Sequence, residues 1–284
     1  MIPLFSAFTR GSSPYLDKNE RRTCACGAKR KDIENNIYQV TDKTDDPIYP
    51  KYYYKCRKCN SYSAVNIYLP LDKYDDHFQH MFIDDRKIEL AARRTQWVAQ
   101  AACGYISRNP LICDLGAGEG AFAHALADRF PRSQVYAVEA DLRIEDKFYD
   151  RNDRVHFVSG FIEDFLKDKN TPQFDLITLT DMLEHVLYPE VLLDLISDKL
   201  KKGGVFYMTT PNSKTFENGG LPTRVKCDDV DWDDANRTCQ HIFMMDEDFA
   251  AALVERNFTI LEESSNFETE IRRDAVYTTI IAVK

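Results

Sequence analysis

The sequence lacks any apolar run approaching the roughly 20 residues that a membrane-spanning helix needs. Its first residues, Met1-Ile2-Pro3-Leu4-Phe5-Ser6-Ala7-Phe8, carry no basic residue ahead of the apolar ones and are too few for a secretory core. Internal repeats and low-complexity tracts are missing as well. Nor is there an excess of positive charge. Lys+Arg number 37 against 46 Asp+Glu, a net of −9, which argues against broad nucleic-acid binding. These absences predict a cytoplasmic chain with no membrane partner.

What is present is an ordinary globular composition, 44% hydrophobic and 29% charged over 284 residues, enough for one large domain and a small module. The charge is unevenly spread: residues 1–70 hold 12 Lys+Arg against 7 Asp+Glu, and the rest of the chain is strongly acidic. Eight cysteines occur, at 24, 26, 56, 59, 103, 113, 227 and 239. In a reducing compartment they are thiols or metal ligands rather than disulfides. Cys24, Cys26, Cys56 and Cys59 form two close pairs among short β-type runs at Asn36 to Val40, Lys51 to Lys55 and Ser63 to Tyr68. So little apolar mass would hardly fold alone, so a structural zinc held by the four thiolates is expected. The first pair has one intervening residue where the commonest knuckle has two. Cys103 and Cys113 lie in apolar surroundings and read as core residues.

The chain divides accordingly. Residues 1–20 read as an extension with a Gly11-Ser12-Ser13-Pro14 breaker, 21–70 as the zinc-binding module and 71–109 as linking helices. The helices are Asp72 to Phe82 and Asp84 to Ile106. In the second, Ile88, Ala91, Ala92, Gln96 or Trp97, Ala101 and Cys103 fall near helical spacing, with Arg93, Arg94 and Gln100 elsewhere on the surface. From 110 to 284 strands alternate with helices, which implies a mostly parallel sheet. Phe258 to Glu262 and Ala275 to Val283 suit a terminal antiparallel pair. The polar segment 211–245 interrupts this domain as an insertion on the substrate side, with an acidic run from Asp228 to Asp234 that suits a solvated loop or a lid.

The stretch Leu111-Ile112-Cys113-Asp114-Leu115-Gly116-Ala117-Gly118-Glu119-Gly120 carries the chemistry. It reads as a buried strand, a glycine turn and a helix start. That is how a Rossmann-like, doubly wound sheet builds a nucleotide-sized crevice. Gly116, Gly118 and Gly120 permit the tight turn and a close ligand approach. About 20 residues on, the next strand ends in Glu139, placed to hold ribose hydroxyls. A dinucleotide cofactor and another adenosine cofactor would both use that acid. Asp114 discriminates, because a carboxylate at the strand end suits a cationic amino group and gains nothing beside a pyrophosphate.

These residues are joined by the run Asp175-Leu176-Ile177-Thr178-Leu179-Thr180-Asp181-Met182-Leu183-Glu184-His185-Val186, the turn Lys201-Lys202-Gly203-Gly204, and Thr210-Pro211-Asn212. In that order they resemble the class I S-adenosylmethionine-dependent methyltransferases, in the form found in the ubiquinone-biosynthesis type and its small-molecule relatives. The four-cysteine module ahead of such a domain is similar to that of zinc-containing sugar methyltransferases. The resemblance implies that Asp114, Gly116, Ala117, Gly118 and Gly120 face the methionine half of the cofactor. It implies further that Glu139 takes the ribose hydroxyls, that Phe161 and Ile162 flank adenine, and that Thr180, Asp181 and Met182 lie near the sulfonium.

An acceptor hydroxyl or carbon acid must lose a proton, which calls for a base working near neutral pH. His185 and His241 are the candidates, with Tyr74, His77 and His80 on the substrate side. The expected acceptor is a small polar metabolite, a nucleotide-linked sugar first. Two readings compete. One is an RNA base methyltransferase using the basic module, disfavoured by the acidic body. The other is a non-catalytic cofactor-binding protein with Tyr52-Tyr53-Tyr54 in an interaction surface. A nicotinamide dehydrogenase is disfavoured by Asp114.

Overall fold

A computed structural model describes residues 24–28, 37–41, 52–64, 85–141, 152–186, 188–216, 223–227, 241–265, 267–268 and 276–284. The expected helix at 72–82, with Tyr74, His77 and His80, lies outside them, as do the acidic run and Cys239. In chain order the elements are β1 (Ile37–Thr41), β2 (Tyr52–Lys55), β3 (Tyr62–Ala64), α1 (Asp85–Ala101), β4 (Leu111–Leu115), α2 (Ala121–Arg129), β5 (Gln134–Glu139) and β6 (Val155–Ser159). They continue with α3 (Ile162–Lys167), β7 (Phe174–Thr180), α4 (Pro189–Lys199), β8 (Leu200–Pro211), β9 (Thr223–Cys227), β10 (Phe243–Met244), α5 (Glu247–Val254), β11 (Thr259–Ser264) and β12 (Tyr277–Val283). No helix among the described residues is long and apolar enough to cross a membrane.

Seven strands form one sheet in the order β11-β12-β8-β7-β4-β5-β6. Pairing is parallel from β8 through β6, and β12 runs antiparallel to both β8 and β11. The expected α/β architecture with its terminal antiparallel pair is thus present. Its inner strands are buried on both faces, so they read as near-continuous apolar runs. Along β8 the alternation is still visible. Val205 and Tyr207 pack with α1 and α2 on one face, whereas Phe206 and Met208 pack with α4 and α5 on the other. Strand order reverses at β4, whose neighbours are β5 and β7. A ligand crevice therefore opens at the carboxyl ends of β4 and β7.

A second sheet, β10-β3-β2-β1-β9, holds the cysteine pairs. Its outer strands β9 and β10 both come from the insertion at 211–245, so the insertion and the module share one sheet. Strand β10 joins the two cores by the same two-residue alternation. Met244 packs with Tyr53, Tyr62 and Ala64 of the module, and its neighbours Phe243 and Met245 enter the core of the large sheet.

Helix α1 corrects the sequence reading. It stops at Ala101, and Gly104 beyond it is left-handed with φ +91°. Its buried face is Leu90, Ala91, Arg94, Thr95 and Val98, while Ile88 is 43% exposed. Two polar residues on the inward stripe hid that face from an apolar-periodicity argument. Arg94 is interior, not surface. Cys113 is buried as expected, but Cys103 is exposed in the turn after the helix. Tyr53 is wholly buried and Tyr52 nearly so, which removes both from any interaction surface.

Candidate active site

Strand β4 delivers its last residues into the crevice, and the backbone then turns on three left-handed glycines. Gly116, Gly118 and Gly120 have φ of +71°, +51° and +84°. The N–H groups of Gly116 and Ala117 both donate to the Val138 carbonyl, tying the turn to β5. Gly118 has open space where a Cβ would stand. At Gly116 a Cβ would fall 2.5 Å from Met182 Cγ, because Met182 lies directly on the turn. Gly116→Ala combines this clash with an unfavourable backbone conformation. It is expected to cost about 2–4 kcal/mol in urea unfolding. Adding Met182→Ala should recover the steric part alone. A single variant as stable as wild type would refute the close approach.

Asp114 is buried, with 1% of its surface exposed. Its Oδ1 accepts the Thr178 hydroxyl at 2.6 Å, and the Ala123 N–H at the start of α2 also donates to the carboxylate. Burial nevertheless pushes its pKa from 3.8 up to about 6, with Thr178 and Arg94 acting against that rise. The sign follows directly. The folded chain holds a proton that the unfolded chain releases, so this group's contribution to stability falls as pH rises between 3.8 and about 6, then levels off. The full effect is about 3 kcal/mol. The stability of Asp114→Asn relative to wild type should therefore rise with pH through that window. A difference that does not vary with pH would refute the assignment.

Glu139 ends β5 and turns back over the glycines. Its Oε2 accepts the Gly118 N–H at 2.9 Å, and its Oε1 accepts those of Ala140 and Asp141. Burial raises its pKa, while the three donors favour the charged form. The carboxylate sits where the turn and the next strand meet. Beyond β6, Phe161 is 40% exposed at the start of α3. Ile162 is core, so its side chain is not available to flank a base; the ring of Phe161 is.

Strand β7 ends in Thr180, Asp181 and Met182. Asp181 is left-handed with φ +54°, unusual for a residue with a side chain. Its N–H donates to the Thr209 carbonyl, and its Oδ2 accepts from Arg94 Nη2 at 3.3 Å. Arg94 also holds Glu268 through two bonds, Nε to Oε1 at 2.6 Å and Nη2 to Oε2 at 2.8 Å. Burial works against its charge, but Glu268 and then Asp181 keep the guanidinium firmly protonated. The partners come from distant parts of the chain, so sequence reading missed this residue.

The next turn, Leu183–His185, brings the two expected bases together. The His185 and His241 rings cross edge-on with centroids 4.9 Å apart. Both point Nε2 at Glu184 Oε1, at 3.9 and 4.0 Å. Glu184 is fully buried, and its Oε2 accepts the Thr210 hydroxyl at 2.9 Å. The ligand atoms of the three lie within 4.8 Å of one another, within ion-pair range but longer than a hydrogen bond, and the donor types would also suit a cation.

In the module the four cysteine sulfurs also lie within 4.8 Å of one another. Cys24 and Cys59 are 3.4 Å apart, Cys26 and Cys56 3.6 Å. A tetrahedral site with Zn–S near 2.3 Å has edges of about 3.8 Å, so the donor set fits a structural zinc. The N–H of Lys58 points at Cys56 Sγ at 3.4 Å. Without a metal, the hydrogen bonds of the other sulfurs and burial push the Cys24 thiol up, so its proton would leave only as zinc binds. Cys56 is drawn down to about 5, first by the bond from Cys24 and then by the N–H groups of Cys59 and Lys58.

Residues 84–263 match the family described as methyltransferase domain. A mitochondrial ubiquinone biosynthesis O-methyltransferase of Dictyostelium discoideum is 28% identical over 131 residues, 39% of this chain and 40% of that protein. The ubiquinone biosynthesis O-methyltransferase of Psychrobacter arcticus is 27% identical over 146 residues, 44% of this chain and 54% of that one. The chain thus spans about half or less of these relatives. Among solved structures, coclaurine N-methyltransferase superposes with a TM-score of 0.49 at 16% identity, over 69% of this chain and 56% of that one. The N-methyltransferase NodS of Bradyrhizobium japonicum gives 0.48 at 14% identity, over 71% and 99%. With a match over more than half its length, this chain belongs to the methyltransferase-domain family.

Proposed function

We propose that the acceptor is the hydroxyl oxygen of a small molecule, and that His185 and His241 together remove its proton. The observation that carries this is the meeting of two imidazoles from different parts of the chain over one buried carboxylate, Glu184, just past the end of β7. The matched relatives are O-methyltransferases, which supports an oxygen acceptor over the narrower expectation of a nucleotide-linked sugar.

The turn at Gly116 to Gly120, Glu139 and Phe161 would hold S-adenosylmethionine. The cofactor supplies an activated methyl carbon, so the protein has mainly to align donor and acceptor. The acceptor hydroxyl would give its proton to a ring nitrogen of His185 or His241 while its oxygen takes the methyl group, the methyl–sulfur bond breaking to leave S-adenosylhomocysteine. The imidazolium that results faces Glu184 at about the separation of an ion pair. The Thr210 hydroxyl fixes the carboxylate from its other side.

The test is incubation with isotope-labelled S-adenosylmethionine and a panel of phenols, sugars and nucleotide-sugars. A hydroxylated small molecule gaining one labelled methyl is the expected result. Transfer to amines alone would refute the oxygen reading. The four cysteines would carry a zinc that stabilises the module without touching substrate, since four thiolates leave no open position. One zinc per chain is expected on metal analysis. Much less in protein purified without chelator would refute the site.

A further inference from the structure

We propose that the four-cysteine module is part of the methyl-transfer site, because its second knuckle positions His241; Tyr53 and Ser61 are the positioning residues. The proposal rests on the acid–base reading of His241 given above.

The knuckle from Cys56 to Ser61 joins β2 to β3, and the hairpin grips the segment from His241 to Asp246 at both ends. At the front, the Tyr53 hydroxyl donates to the His241 carbonyl at 2.9 Å. Next to it the Ala64 N–H donates to the Ile242 carbonyl at 2.8 Å. In the middle, Phe243 and Met244 pair with Ser63 and Tyr62. At the rear, the Asp246 N–H donates to the Ser61 hydroxyl at 3.0 Å. Ser61 is itself part of the knuckle: its hydroxyl donates to the Cys59 carbonyl, and its own carbonyl accepts the Cys56 N–H. A continuous set of hydrogen bonds therefore runs from the metal-type loop to the residue whose ring meets His185 and Glu184.

The burial pattern says why this tether matters. Strand β10 is two residues long, and a strand that short has little stability of its own. Its place comes from Met244 sitting among Tyr53, Tyr62 and Ala64, with Phe243 and Met245 in the large core. Tyr53 and Tyr62 are fully buried, so the module offers a rigid wall. The large sheet alone supplies Glu184 and His185. The second imidazole arrives on a segment the module holds. A module serving only as a folding staple has no need to hydrogen-bond the backbone of a catalytic residue.

Full-length protein is compared as wild type, Tyr53→Phe and Cys56→Ser. Four properties are measured: zinc content, S-adenosylhomocysteine affinity by calorimetry, amide exchange of residues 242–246, and histidine ring resonances against pH. The His241 resonance is assigned by its loss in His241→Gln. For Tyr53→Phe the expected result is unchanged zinc and unchanged S-adenosylhomocysteine affinity. Exchange across 242–246 should rise roughly five-fold, as the loss of one hydrogen bond implies. The His241 titration should also move relative to that of His185. Cys56→Ser should lose zinc and show the same changes more strongly, again with cofactor affinity kept. Where Cys56→Ser does not fold, Tyr53→Phe decides. Exchange and titration unaltered in Tyr53→Phe overturn the proposal. Loss of S-adenosylhomocysteine binding in step with the segment overturns it too, by making the module a general staple. If His241→Gln retains full methyl transfer, the acid–base reading fails while the positioning result stands on its own measurements.

Discussion

Replacing Arg94 with methionine is expected to lower the unfolding free energy by about 3–5 kcal/mol, the range for breaking a buried ion pair from one side. The guanidinium is 6% exposed and faces two acids, Glu268 in a two-bond clasp and Asp181 through the same Nη2. Removing it leaves both carboxylates without their cation, and Glu268 has no exposed surface at all. It also withdraws a positive charge that lowers the pKa of Asp114. Arg94→Lys should rescue little, since an ammonium does not reproduce the two-pronged contact. Arg94→Met with Glu268→Met should regain most of the stability, because the paired charges leave together. It should not regain cofactor affinity, as Asp181 would still lack its anchor. Urea titrations with and without S-adenosylhomocysteine separate the two effects. A loss below about 1 kcal/mol in the single variant would place Arg94 among exposed ion pairs and refute its structural role.

The second large effect concerns the paired imidazoles. His185→Gln and His241→Gln should each lower turnover by about 10²–10⁴-fold, the usual contribution of a positioned base, with S-adenosylhomocysteine affinity unchanged. The double variant should be little worse than the more damaged single one, since residues acting as a unit do not add. Full additivity would mean two independent tasks. Glu184→Gln keeps an acceptor for the Thr210 hydroxyl but replaces the carboxyl group both rings face with an amide. It should reduce the rate while leaving the fold intact, measured as single-turnover transfer to the acceptor found by the labelled-methyl panel.

Much of this arrangement is legible in the sequence because its causes are local. The Leu-Ile-Cys-Asp-Leu strand, the glycines that alone accept left-handed backbone, and Glu139 at the next strand end are set by neighbours a few residues away. The cysteine pairs announce themselves by spacing, and strands form at the first two β runs around them and at the start of the third, the rest of which lies outside the described residues. What resisted reading depends on distant partners. Arg94 looks like a surface residue until Glu268 arrives from the far end of the domain. Strand β10 is too short to show a period, so nothing in Phe243 and Met244 announces that the insertion completes the module's sheet. His185 and His241 are each visible as candidate bases, but their meeting over Glu184 follows from that sheet. Ile162 fell on the wrong side because a resemblance transfers a position more easily than the direction in which its side chain points.

The placement of β12 bears on how the protein is made. This strand lies between β8 and β11, bonded to β8 along its whole length. Synthesis runs from the amino terminus, so the ribosome releases β8 well before β12 exists. Until then Val205 to Thr210 present an unpaired and strongly apolar edge, the kind that recruits strands from other chains. The parallel half of the sheet can assemble during translation, whereas closure must wait for Tyr277 to Val283. Chains truncated before Tyr277 are therefore expected to aggregate more readily than the whole chain.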